Sequence, residues 1–309
     1  MANNRIFYAV QALSIGGEYA RGVQSVGITT NFNLEQVFEM GQLGIYENIQ
    51  NIPEIEVTAE KVIDGAKLLY NLAGAAAGQD IVAATSGTVP IVLSIYNDTK
   101  TAANGTSAYN VTCTGMRVSA ISYTFPVAGN ATESITLVGN SKTWATSGGS
   151  ADFPDITGTL QTPSGAVFRR QHFSATLAST LPAKLTGAKI QSVAASADIG
   201  RENIFELGYF APYTKYATFP VTTKCDIEIV STSGDQVTGN ATTAVYAGDT
   251  DGDQQIVLRA HNGTKQLVID LGTKNRLTSV NYAGADTGGG NATSTYSYQG
   301  FNFFTVSLT

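Results

Sequence analysis

The chain has 309 residues, enough to bury a core in one large or two medium domains. Its 43% hydrophobic content excludes a disordered chain, while its 14% of charged residues lies well under the roughly 25% of an ordinary soluble domain. With 18 Lys and Arg against 24 Asp and Glu the net charge is −6, the wrong sign for a general nucleic-acid binder, which must displace counterions from phosphates.

In chain order, no signal-type apolar block follows Met1 to Arg5 and no apolar run reaches the roughly 18 residues needed to cross a bilayer, so neither a secretion address nor membrane insertion is expected. The first period-2 alternation sets Val23, Ser25, Gly27 and Thr29 against Gln24, Val26 and Ile28. Residues 34–52 then read as a long, extended and bent connection, of a length that compact domains keep when it binds something. After Pro53 the alternation sharpens, with Glu54, Glu56, Thr58 and Glu60 on a wet side and Ile55, Val57 and Ala59 on a dry one. Residues 65–73 carry good helix formers with an apolar stripe at Leu68, Leu69 and Leu72, and predict a helix capped by Asp64 and stopped at Gly74. Further strands are predicted at 91–96, 110–123 and 133–138.

The second part of the chain repeats the first. Val23-Gln24-Ser25-Val26 matches Ile190-Gln191-Ser192-Val193, and with no gap Glu35-Gln36-Val37-Phe38-Glu39-Met40-Gly41 matches Glu202-Asn203-Ile204-Phe205-Glu206-Leu207-Gly208. Across the nineteen positions 23–41 and 190–208 seven pairs are identical, where average composition gives roughly one or two. Tyr46 pairs with Tyr213 and Pro53 with Pro220 at the same offset. Later matches stay in order: 91–97 with 256–262, 117–123 with 276–282, and 130–139 with 291–300. Lys224, Asp226 and Glu228 alternate with Cys225, Ile227 and Ile229, and strands are predicted at 256–260, 265–271, 276–282 and 295–306. The seam falls near Ser147-Gly148-Gly149-Ser150, which divides the chain into residues 1–150 and 151–309. The fold class expected is mainly β: two tandem β-sandwich or barrel domains, each with at most one flanking helix. The polar residues 234–243 of the second copy predict a shortened or lost counterpart helix.

The order of alternating strand, then Arg201-Glu202-Asn203-Ile204-Phe205-Glu206-Leu207-Gly208, then Pro212-Tyr213, then a second alternating strand resembles the tail tube proteins of tailed bacteriophages. Leu34 to Gly41 is a looser version, and the stretch running on to Tyr70-Asn71-Leu72 is similar to a phage tube subunit as a whole. The resemblance implies a structural virion protein without enzymatic activity or cofactor. Six tube domains would form a ring, so two domains per chain would give a homotrimeric, pseudo-hexameric ring. Such rings would stack into a hollow conduit for DNA ejection. Implied partners are further copies of the chain, other tail proteins such as sheath, baseplate or terminator, and double-stranded DNA in transient, non-specific passage. The place would be the phage tail, assembled in the host cytoplasm. The long segments are expected to touch neighbouring subunits, with Glu35, Phe38, Glu39 and Tyr46 from the first and Glu202, Phe205, Glu206 and Tyr213 from the second. An acidic lumen repels phosphates and lets DNA slide. The carboxylates Glu54, Glu56, Glu60, Asp226 and Glu228 are candidates for that lining, or else for a solvated outer face. A baseplate or hub ring built on the same duplicated domain is the alternative, and an extracellular β-sandwich adhesin the alternative from another class.

Other signals yield to plainer readings. Gly248 to Asp253 resembles a calcium loop but departs from EF-hand spacing at Gln254 and Ala260, so an acidic turn is expected. The Asn-X-Thr sequences at Asn97, Asn104, Asn110, Asn130, Asn240, Asn262 and Asn291 reflect a Thr- and Asn-rich strand-and-turn composition. His172 beside Arg169 and Arg170 lacks a nucleophile setting such as GxSxG, and His261 faces Tyr96 of the other copy. Glu35 with Glu39, and Glu202 with Glu206, are spaced like glycosidase pairs, but their place in the long segments favours inter-subunit ion pairing. Cys113 and Cys225 occupy unmatched repeat positions and are expected as buried thiols rather than a disulfide.

Overall fold

The computed structural model describes residues 5–74, 78–84, 87–96, 107–146, 167–173, 185, 188–234, 237, 252–285 and 290–309. In chain order the strands are β1 (Gln11–Ile15), β2 (Glu18–Tyr19), β3 (Val23–Phe38), β4 (Ile45–Val62), β5 (Val89–Ile95), β6 (Tyr109–Pro126), β7 (Thr132–Gly139), β8 (Ser141–Thr146), β9 (Ile190–Asp198), β10 (Arg201–Ile204), β11 (Thr214–Ala217), β12 (Thr222–Val230), β13 (Val257–His261), β14 (Gln266–Asp270), β15 (Arg276–Ala283), β16 (Thr293–Phe301) and β17 (Thr305–Leu308). Two four-residue helices, α1 (Leu69–Leu72) and α2 (Ile81–Ala84), lie between β4 and β5. The chain is thus mainly β, as its alternation predicts.

One antiparallel path runs β3–β4–β7–β6–β9–β12–β16–β15. Its first four strands and its last four follow similar logic: an opening hairpin, then the last strand of the set, then the one before it. The connection between them is direct, with Ser122 opposite Ser196 and Thr124 opposite Ala194 across β6 and β9. A second layer repeats as well. The N-terminal part of β6 is flanked by β5 and β8, while β14 is flanked by β13 and β17.

Alternation decides which face is dry. Ile55, Val57, Ala59, Ile121, Tyr123, Ile135, Leu137, Val193, Ala195, Ala197, Cys225 and Ile227 point into one continuous core with β13, β14 and the α1 segment. The two halves share it: Phe304 stacks on Tyr123 with ring centroids 6.2 Å apart, and the Ile81 N–H donates to the Phe304 carbonyl. The predicted helix 65–73 is only one turn long. Leu68, not Asp64, precedes it, and Asp64 instead accepts from the Ala66 N–H at 2.9 Å and faces the Lys61 ammonium at 3.5 Å. Gly74, with φ +95°, ends it as expected. The proposed seam at 147–150 and most of the predicted lost helix at 234–243 fall outside the described residues.

The long segments 34–52 and 201–219 are not bent loops. They are β-hairpin arms. β3 and β4 continue pairing far past the point where β7 leaves β4 at Ile55, with Leu34 opposite Gln50 and Val37 opposite Glu47. β10 pairs with β11 from Arg201 opposite Ala217 to Ile204 opposite Thr214. Glycine at each tip supplies the left-handed backbone that reverses the chain: Gly41 has φ +92° and Gly208 φ +94°.

Candidate assembly surfaces

The wet face of the long sheet is dominated by hydroxyls. Cross-strand register places Ser25, Glu60, Ser134, Ser122, Ser196, Lys224, Gln299 and Arg276 in one row across it. Glu54 and Glu56 are exposed, while Glu60, Asp226 and Glu228 are half-buried, all on this face, and the sheet brings the five onto one surface. Asp198, exposed on the same face, is a sixth carboxylate that sequence reading missed, although it lies in phase with Asp226 and Glu228. Among the described strand residues of this face the cations are Arg117, Lys224 and Arg276, fewer than its carboxylates. Glu228 accepts from the Ser192 hydroxyl at 3.0 Å across β9 and β12.

The arms carry every predicted contact residue. Glu35, Glu39, Phe38 and Tyr46 are exposed on the first, and Phe205, Glu206 and Tyr213 on the second, with Glu202 also exposed at its base. More apolar surface accompanies them than the repeat suggested: Met40 and Leu207, at matching tip positions, are each 99% exposed, beside Leu43, Tyr209 and Phe210. These side chains are left unburied by their own subunit. Glu39 accepts from the Gln42 side chain at 3.0 Å.

Where the second arm leaves the sheet, three cations meet. Arg201 Nε donates to the Val118 carbonyl at 2.7 Å, and Arg117 Nη2 donates to the Thr214 hydroxyl at 3.3 Å, tying both arm strands to β6. Burial, reinforced by Arg117, pulls the Arg201 guanidinium down to about 10. Burial also lowers the Lys215 ammonium; Glu54 opposes that shift, and Arg201 and Arg117 add to it. This cluster is not readable along the chain, because the fold brings Arg117 of β6 to Arg201 and Lys215 of the arm.

A polar group also sits on the dry side. Glu133 is fully buried and accepts from the Leu69 N–H at 2.7 Å, the Tyr70 N–H at 3.1 Å and the Tyr123 hydroxyl at 2.9 Å, while buried Lys61 donates to the Lys67 carbonyl at 2.7 Å. Strict alternation could have flagged both, since Lys61 is in phase with Ile55, Val57 and Ala59, and Glu133 with Ile135 and Leu137.

The remaining motifs settle as structure. Gly248 to Asp251 lie outside the described residues, and Asp253 binds Lys274 at 2.6 Å and Arg276 at 3.0 Å. Among the described residues no group of three or more His, Cys, Asp and Glu could hold a metal ion. His172 Nδ1 accepts from the Arg169 N–H, and His261 Nδ1 from the Gly263 N–H. Asn110 is buried and accepts from the Ser94 hydroxyl, and Asn262 accepts from the Thr264 and Lys265 N–H groups in a turn; Asn97, Asn104 and Asn240 lie outside the described residues. Cys113 and Cys225 are free and buried, and burial pushes both thiols up. No described helix is long and apolar enough to cross a membrane.

The described residues thus form a β-protein with open sheet edges, projecting apolar hairpins and a hydroxyl-rich face. Residues 8–126 match the family model described as Phi812 tail tube protein. Over this stretch the chain is similar to phage tail tube proteins, so the resemblance read from its sequence holds there, and the role it carries is structural, not enzymatic. No curated protein matches the chain in sequence. Among solved structures, a chain of the anti-feeding prophage cap (AFP tube terminating cap) aligns at 15% identity with a TM-score of 0.38, covering 48% of this chain and 95% of that one. A chain of an extracellular contractile injection system, the PVC sheath-tube complex in extended state, aligns at 15% identity with a TM-score of 0.37, covering 47% and 95%.

Proposed function

We propose that the protein is a phage tail tube subunit with a duplicated tube domain. Three chains close a ring, and rings stack into a conduit lined by the hydroxyl-rich face. The observation that carries this reading is the pairing of β6 with β9 inside one chain: it joins the third strand of one set to the first strand of the next, and leaves β15 and β3 as the matching unpaired edges. Exposed edges invite further pairing, and closing the sheet on itself removes them. Joining β15 of one subunit to β3 of the next repeats the internal contact head to tail, and such a contact closes when its rotation divides a full turn.

Glu54, Glu56, Glu60, Asp226 and Glu228, joined by Asp198, give the lumen a repulsive surface for phosphates, and serine and threonine hydroxyls keep it wetted. Sheath, baseplate or terminator proteins would meet the outside and ends of such a tube, in the virion tail after assembly in the host cytoplasm. Negative-stain electron microscopy of the purified protein tests the reading: stacked hollow rings of threefold symmetry are expected. A single discrete trimer would point to a baseplate or hub ring, and particles without a channel would overturn both.

A further inference from the structure

Three ionisable side chains meet where β4 ends and the α1 segment begins, and the assembly surfaces make no use of them. Lys61 is fully buried on the dry face, and cross-strand register places Glu133 of β7, also fully buried, directly opposite it. Asp64 turns its carboxylate to the same spot: Oδ1 lies 3.5 Å from Lys61 Nζ, and only 15% of the Asp64 side chain is exposed. The backbone around them is fixed. The Val62 N–H donates to the Gly22 carbonyl at 3.0 Å and the Ile63 N–H to the Ala131 carbonyl at 2.9 Å, while the Ile63 carbonyl accepts from the Phe168 N–H at 2.9 Å. Gly22 walls the site: a Cβ there would lie 3.6 Å from Asp64 Oδ2 and 3.7 Å from Lys61 Cε, so both side chains share one small space.

We propose that Lys61 and Asp64 condense into an intramolecular isopeptide bond, with Glu133 as the proton carrier. The inference is independent of the tube reading above. The Lys61 ammonium passes one proton to Glu133, and the freed lone pair on Nζ attacks Cγ of Asp64. The C–Oδ2 bond then breaks, and Oδ2 leaves as water with two protons from Nζ, one of them handed over by Glu133. Nothing is oxidised or reduced, and no co-reactant is needed. The product keeps the contacts already present. Its amide N–H still donates to the Lys67 carbonyl, 2.7 Å from Nζ, and Oδ1 stays as the carbonyl oxygen that accepts from the Ala66 N–H at 2.9 Å. What disappears is a pair of charges whose removal from water is costly, so a dry site favours the amide over the ion pair. Holding the two groups side by side replaces a slow encounter with an intramolecular step. Burial raises the Glu133 carboxyl, against the pull of Lys61, the Tyr70 and Leu69 N–H groups and the Tyr123 hydroxyl, and so helps it hold a proton in transit.

The test is mass spectrometry of the purified full-length protein, denatured and digested with trypsin. An amide on Lys61 blocks cleavage there, so the peptide from Gly22 to Lys67 is expected intact and one water lighter than its sequence. Fragmentation should place the link between Lys61 and Asp64. Asp64→Asn can form the same amide by releasing ammonia, and its peptide is expected one ammonia lighter. Lys61→Arg is expected at full mass. A lost water that persists in Lys61→Arg, or that leaves Lys61 open to trypsin, is a succinimide at Asp64-Gly65 and overturns the bond. Full mass with cleavage after Lys61 in the wild-type protein overturns it as well, whatever the variants do. Glu133→Gln keeps the shape of the side chain but cannot carry the proton, so the folded variant is expected to yield free Lys61 cut by trypsin. An intact, lighter peptide from that variant overturns the part given to Glu133.

Discussion

A carboxylate on the dry face of a sheet is tolerated only when its lone pairs are used, and Glu133 meets that condition with two backbone N–H groups and the Tyr123 hydroxyl. It fastens the short α1 turn to the sheet. Glu133→Ala leaves three buried donors without an acceptor and is expected to lower stability by about 3 kcal/mol, read from denaturant titration. Burial is the largest influence on this carboxyl and raises it; Lys61 and the three hydrogen bonds pull the other way. A raised native value means the folded state keeps its proton to higher pH than the unfolded chain does. The stability that goes with that proton is fully present below the unfolded carboxylate range and is lost as pH climbs through the native value. Glu133→Gln removes this slope, so wild type and variant should differ in the pH dependence of their thermal midpoints, and parallel curves would show that Glu133 does not titrate there. The corresponding position in the second half, opposite Tyr282, is Ser294, and Tyr282 is exposed where Tyr123 is buried. The absence of a carboxylate and the loss of a cover over the tyrosine go together.

At the scale of elements, strand alternation was legible because burial enforces it: Ile55, Val57 and Ala59 had to face inward, so Glu54, Glu56 and Glu60 had to face out. The arms were not legible as hairpins, since beyond Ile55 neither face of β3 and β4 is buried and Leu34, Phe38, Ile45 and Tyr46 obey no inside-outside rule within one chain. Helix α1 was overestimated for a different reason. Its real support, Glu133, lies 64 residues beyond Leu69, whereas the local candidate Asp64 is occupied by Ala66 and Lys61. The cations at the root of the second arm come together only through the β6–β9 junction, which no local pattern reveals. The arms add no core, so replacing residues 39–44 by a two-residue Asn-Gly turn should leave the thermal midpoint unchanged while shifting the assembled state away from tubes. A lowered midpoint would mean that the arm stabilises its own subunit.

At the scale of the whole molecule, the β6–β9 junction is the pattern on which the proposed contact between subunits is drawn. Within the chain Ser122 stands opposite Ser196, and Tyr123 opposite Ala195. Asn281 corresponds to Ser122 in the chain's repeat, and Thr29 to Ser196, so in the proposed ring Asn281 of β15 would stand opposite Thr29 of β3 in the neighbouring subunit. Directly opposed side chains have Cβ atoms about 4.5–5.5 Å apart, close enough for a disulfide once the strands adjust. Both positions are exposed on the hydroxyl-rich face, and the native thiols Cys113 and Cys225 are buried away from it. Asn281→Cys with Thr29→Cys should therefore give covalent dimers and trimers under oxidation, ending at the trimer because the third bond closes the ring. Each single variant should stay monomeric on a non-reducing gel. Pairing Asn281→Cys with Thr30→Cys should fail, because a one-residue shift turns the side chain to the opposite face. A ladder running past the trimer would mean that the edges join without closing. Monomers alone from the matched pair would mean that β15 and β3 do not meet, and the repeated junction would lose its role as the seam of the tube.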